Sequence, residues 1–237
     1  MSAQGRPKRA GTQVNLTFKA LGALLAYPSA DLVAALPEIA AILDRDPRLD
    51  RSRRDALARL VASLAGTDLL DAQEGYVALF DRGRATLLHL FEHVHGDSRA
   101  RGQAMVELQT LYAQAGLKPS VNELPDYLPM MLEYLSLREA AEARDMLGDC
   151  AHILRAIGQA LLDRDSAYAA VPAAILALVG EPGLAVRAET PRAAIEKPLD
   201  DEWVDEPVIF GPAGAAGCGA SASPPKPAVV QFVPRRA

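Results

Sequence analysis

Apolar residues recur at helical spacing along most of this chain. Leu87, Leu90, Phe91 and Val94 fall at i, i+3, i+4 and i+7, which predicts a helix with one buried face. Ala104, Leu108, Leu111 and Ala115 predict another, stopped by Gly116, Leu117 and Pro119. There glycine takes the left-handed position and proline blocks continuation. Gly96 separates these two helices, and Asp97 or Ser98 caps the second. The longest pattern, Met146, Cys150, Ile153, Ile157 and Leu161, predicts one long helix. Earlier helices are expected at about 15–26, 30–43, 50–64 and 69–80. Asp126 is placed to cap a helix that carries Pro129 in its first turn, where a missing N–H costs little. Met130, Met131, Tyr134 and Leu135 then form its apolar face. No alternating run predicts a hairpin, and Val208-Ile209-Phe210 is a short extended candidate.

This pattern divides the chain into three parts. Residues 1–13 hold three basic residues, no acidic ones and no apolar periodicity, and read as a disordered start. Residues 14–180 carry the helical pattern and form the predicted domain. Residues 181–237 contain nine of the 17 prolines and read as a flexible, acidic, irregular tail. The expected fold is all-α, a single-domain multi-helix bundle of about nine helices.

Composition narrows the function. Half of the 237 residues are hydrophobic but only 5% are aromatic, so Ala and Leu dominate and favour helix. The net charge of −5 lacks the basic field that phosphate binding requires, which argues against nucleic acid. Cys150 and Cys218 form neither a disulfide framework nor a CxxC pair, which fits a reducing compartment. No apolar stretch follows Arg6, Lys8 and Arg9, as a secretory signal would need. The most apolar stretch, Tyr168 to Val179, contains Pro172 and is too short to span a bilayer. A cytoplasmic protein without direct membrane insertion is expected.

Catalytic chemistry is thin. His89, Glu92 and His93 form H-x-x-E-H, a spacing that can hold a metal on one helical face. The histidines also fall on the flanks of a core-facing helix, near its C-terminus, where the helix dipole favours them, and this reading is preferred. Cys150 lies on an apolar stripe and reads as a small buried hydrophobe; Cys218 sits between two glycines with nothing to activate it. Gly211-Pro212-Ala213-Gly214 precedes no predicted helix, so it is no phosphate loop, and no G-x-S-x-G elbow occurs. Arg82, Arg84, Arg99 and Arg101 are a solvated face or an anion or peptide contact. No catalytic residue and no metal ligand is assigned.

Several segments carry a resemblance. They are Tyr76-Val77-Ala78-Leu79-Phe80-Asp81-Arg82-Gly83-Arg84, Leu88-His89-Leu90-Phe91-Glu92-His93-Val94-His95-Gly96-Asp97-Ser98, and Arg101-Gly102-Gln103-Ala104-Met105-Val106. Glu123-Leu124-Pro125-Asp126-Tyr127-Leu128-Pro129 and Leu132-Glu133-Tyr134-Leu135-Ser136 follow. Leu24-Leu25-Ala26-Tyr27-Pro28 near the start and Ile195 to Trp203 in the tail add to them. Together these resemble the delta-subunit family of respiratory nitrate reductases, the NarJ-type molybdenum cofactor assembly chaperones. The wider family of redox-enzyme maturation chaperones often has Asp-His where this chain has Asp126-Tyr127. A mechanism needing imidazole at position 127 therefore does not apply, whereas a cap-and-stack role for Asp126 and Tyr127 does.

The resemblance implies a bundle of the redox-enzyme maturation type and a non-catalytic protein with no tightly bound cofactor. It implies a chaperone of the apo nitrate reductase catalytic (alpha) subunit, holding it competent for molybdenum cofactor insertion and iron–sulfur assembly before membrane attachment. Recognition of the client's N-terminal segment needs an apolar groove with a charged rim. Tyr127, Met130, Met131 and Tyr134 are candidates to line it, the methionines serving equally well as core. Glu123, Asp126 and Glu133 are candidates to meet basic client residues, and Arg82, Arg84, Arg99 and Arg101 a second contact surface. Glu196 to Glu206 hold six carboxylates around Trp203, either a solvated linker or a segment anchored by that tryptophan. The alternatives from other classes are a helical metal-dependent enzyme using His89, Glu92 and His93, and a helical transcriptional regulator, which the acidic core opposes.

Overall fold

The computed structural model describes residues 15–95, 99–117 and 123–184, with the side chains of His95, Arg99 and Ala100 outside that description. Polar side chains set several helix starts by accepting a backbone N–H that has no partner within the helix. Ser29 accepts from Leu32 N–H at the head of α2 (Ala30–Arg45). Asp50 does the same for α3 (Arg51–Gly66), and Asp68 for α4 (Leu69–Phe80). With α1 (Leu16–Leu25) these match the four helices expected from periodicity, within a residue or two at each end. α2 runs through Pro37, which sits on its exposed side.

Three expectations change. The helix over Leu87–Val94 does not form, and only the single turn α5 (Glu92–His95) is helical. Residues 88–90 instead pair with the chain before α7 (Leu128–Ser136), in an isolated antiparallel bridge between His89 and Tyr127. Leu90 N–H donates to Asp126 O (3.1 Å) and Leu128 N–H to Leu88 O (2.9 Å). Leu88 and Leu90 are buried and His89 between them is half-buried, the alternation of a strand. A run this short nucleates no helix alone, and the distant partner satisfies its backbone groups instead.

The long helix is also divided, into α8 (Ala140–Asp149) and α9 (Ala151–Asp163). Cys150 stands at the break with φ −91° and ψ 2°, and it is buried as expected. Finally, Asp126 is not a helix cap. The residue before α7 is Tyr127, which makes no side-chain capping bond, and Pro129 occupies the first turn as expected.

α6 (Arg99–Gln114) ends as its sequence predicts. Gly116 has φ +78°, and the N–H groups of Gly116 and Leu117 return to Ala113 O and Tyr112 O. α10 (Ala170–Leu178) ends in the same way at Gly180. The described residues therefore hold ten α-helices and no regular strand, an all-α bundle. None of these helices is long and apolar enough to cross a membrane. The calls on residues 1–13 and on Asp97, Ser98, Trp203, Val208–Phe210 and Cys218 lie outside the described residues.

The core joins elements distant in sequence. Leu21, Leu24 and Leu25 of α1 share one core with Leu128, Met131, Leu132 and Leu135 of α7, in the most extensive helix pairing among the described residues. α9 contributes Leu154, Ile157 and Leu161, and α10 contributes Val171 and Ile175. Buried polar bonds hold the start of α1. Thr17 Oγ1 donates to Asp46 Oδ2 (2.5 Å), Arg48 Nε to Asp46 Oδ1 (2.9 Å), and Asn15 N–H to Ser136 O (2.7 Å). Burial raises the Asp46 carboxyl, but the bonds from Arg48 and Thr17 outweigh it and bring it down to about 2.

Candidate functional site

A groove of about 480 Å³ runs between α1 and α7. The two helices lie antiparallel: Asn15 meets Ser136, Lys19 meets Glu133 and Gly22 meets Pro129. Gly22 sets how close they come. A Cβ there would stand 3.0 Å from Pro129 O and 3.2 Å from Leu132 Cβ, so even an alanine would require the facing backbone to give by a few tenths of an ångström. Lys19, Gly22, Ala23 and Ala26, at i, i+3, i+4 and i+7, form one wall. Pro129, Met130 and Glu133 form the other, and Tyr112 and Leu117 close the end beside α6. Glu123 and Tyr127 complete the lining, so among the described residues an apolar trough carries a rim of two carboxylates and one ammonium.

Tyr127 is held from two sides. Its ring packs against His89 with centroids 5.3 Å apart. Its hydroxyl lies 2.9 Å from that of Tyr76, which itself donates to Leu25 O (2.8 Å), so the shared proton comes from Tyr127. Burial pushes the Tyr127 hydroxyl above its ordinary range, and it stays a neutral donor. Behind the groove wall Asp126 is fully buried. Its Oδ2 accepts Phe91 N–H (3.0 Å), and its Oδ1 faces His89 Nδ1 (3.3 Å). That carboxylate raises the His89 imidazole against the opposing effect of burial. An imidazole thus stands beside this carboxylate from position 89, while position 127 is tyrosine.

The structure gathers Glu123, Tyr127, Met130 and Glu133 in one trough. It separates others. Met131 (0% exposed) and Tyr134 (1%) are core and offer no surface to a groove, which corrects their placement there. Adjacent methionines on a helix point about 100° apart, so one faces the core and the other the trough. Asp126 acts by bonding the 88–91 segment rather than by meeting a ligand; of its expected cap-and-stack role only the Tyr127 stack remains. Arg82 and Arg84 are exposed around the turn after α4, and Arg101 Nη2 bonds Glu92 Oε1 (2.9 Å); the described arginines lie outside the trough lining.

The metal reading loses its geometry. His89 is not helical, and His93 Nε2 bonds Leu87 O (2.9 Å) instead of converging with it. No group of three His, Cys, Asp or Glu among the described residues is arranged to hold a metal ion. Cys150 is buried and its thiol is pushed up to about 12, so it is inert. Sequence reasoning missed the α1 wall. Its signal was a stripe of small residues on an otherwise leucine-rich helix, at the spacing of one face.

Residues 46–173 match the family model described as the nitrate reductase delta subunit. The chain is 41% identical over 204 residues to the nitrate reductase molybdenum cofactor assembly chaperone NarJ of Escherichia coli K12, covering 84% of this chain and 86% of that protein. It is 37% identical over 210 residues to the probable chaperone NarW of the same strain, covering 86% and 87%. It is 32% identical over 173 residues to the probable NarJ of Bacillus subtilis, covering 73% and 93%. A solved structure of a putative redox enzyme maturation protein from Archaeoglobus fulgidus superposes with a TM-score of 0.51 at 18% identity, covering 76% of this chain and 98% of that one. That likeness shows a shared fold.

Proposed function

The chain belongs to the nitrate reductase delta-subunit family, and on that premise we propose that it is a system-specific assembly chaperone and not an enzyme. It binds the apo catalytic subunit of a respiratory nitrate reductase in the cytoplasm. It keeps that subunit competent for molybdenum cofactor insertion and iron–sulfur assembly before membrane attachment. The observation that carries this reading is the 41% identity to an assembly chaperone over 84% of the chain.

The α1–α7 trough is the proposed client site, and the client's N-terminal segment its occupant. Small residues on the α1 wall leave room for the segment's bulky side chains, and Met130 adapts to their shape. Glu123 and Glu133 meet its basic residues. Arg82, Arg84, Arg99 and Arg101 supply a second contact surface, and Trp203 anchors the acidic tail segment on the client.

Calorimetric titration with that N-terminal segment tests the site. Saturable binding near one-to-one, weakened by Glu123→Gln, is expected. Capture of the whole apo subunit without binding of the segment would move recognition to a folded client surface. Failure of both would remove the chaperone reading.

A further inference from the structure

Lys19 and Glu133 face each other across the mouth of the trough, with Nζ and Oε1 3.9 Å apart. Their side chains are 60% and 56% exposed. A pair this open, at the outer limit of an ion contact, holds the fold together only weakly. Among the described residues Lys19 is the one cation in the lining, against the carboxylates of Glu133 and Glu123. It pairs with Glu133 at one end, whereas Glu123 lies by Tyr127, at the other end of the antiparallel pair. The apolar walls between the ends offer nothing to a charge.

We infer that Lys19 is an internal stand-in for a client cation, which a basic residue of the bound segment displaces from Glu133. The inference rests on the trough being the client site. An arriving lysine or arginine replaces one exposed contact with another, and the released Lys19 ammonium turns to water at little cost. A segment with no basic residue at that point leaves the Lys19–Glu133 contact across its path and gains no carboxylate. Lys19 thereby sets the threshold and Glu133 the preference: displacing Lys19 costs every occupant the same contact, and only a cationic one recovers the loss at Glu133.

Lys19→Met, which keeps the apolar stem, tests this by titration with two synthetic peptides. One is the N-terminal segment of the catalytic subunit, and the other is that segment with each Lys and Arg changed to Gln. Lys19→Met is expected to tighten the native segment about two- to fivefold, the scale of an exposed ion pair. The gain should shrink at high salt. Glu133→Gln should weaken the native segment and abolish any further effect of Lys19→Met.

Weaker or unchanged binding of the native segment by Lys19→Met, with the wild-type chain binding normally, would overturn the role of Lys19 and leave the trough as the client site. Failure of the wild-type chain to bind the native segment would remove both readings. A gain from Lys19→Met that persists undiminished in Glu133→Gln would show steric relief and overturn the exchange. Matching melting curves for all variants confirm that folding is not being read.

Discussion

Two part-buried contacts, each on a buried carboxylate, give single residues opposite responses to pH. The Asp46 carboxyl titrates near 2 in the folded chain, below its ordinary 3.8. Its contribution is therefore complete above about pH 4 and drains away as the pH falls toward 2. Asp46→Asn is expected to cost about 2 kcal/mol at neutral pH and progressively less in acid, measured by denaturant titration. His89 runs the other way. Asp126 raises its imidazole, so its contribution is complete below the ordinary histidine value and is lost as pH rises through the folded one. Melting curves of His89→Gln and wild type should differ most at about pH 5.5 and least at about pH 9. Equal gaps at both would show that the contact with Asp126 does not depend on the imidazole's charge. Glu92 and Glu123 push the imidazole in the same direction as Asp126.

Elements were legible where their own residues decide them. α1 to α4 announce themselves by period and, for α2 to α4, by Ser or Asp caps, and Gly116 closes α6 as its left-handed conformation requires. The 87–94 segment misled because its backbone partners lie at Asp126 and Leu128, beyond any local window. The break at Cys150 carried no proline, and the apolar stripe runs through it unchanged. Half of the trough was readable in the Glu123–Glu133 stretch. The other wall is made of glycine and alanine, which report space rather than chemistry. Met130 and Met131 could not be told apart without the packing of α7 on α1, and they now separate by experiment. Met131→Ala empties a core site and should cost about 2–5 kcal/mol of stability. Met130→Ala should cost under about 1 kcal/mol but weaken the client segment about fivefold or more, by calorimetry. Equal stability losses would place both in the core.

At the scale of the molecule, family, fold and trough are consistent with one role. The 46–173 match covers α7 and its preceding bridge, whereas α1 lies outside it. The antiparallel pairing of α1 with α7 joins residues 16–25 to residues 128–136. A ribosome making about 5–20 residues per second delivers the second wall roughly 5–20 s after the first. Throughout that interval the growing chain carries half a trough and has nothing to grip with. With the proposed client site in this trough, recognition is scheduled: a nascent copy is deaf to its client, and competence arrives late in synthesis, when the bundle closes.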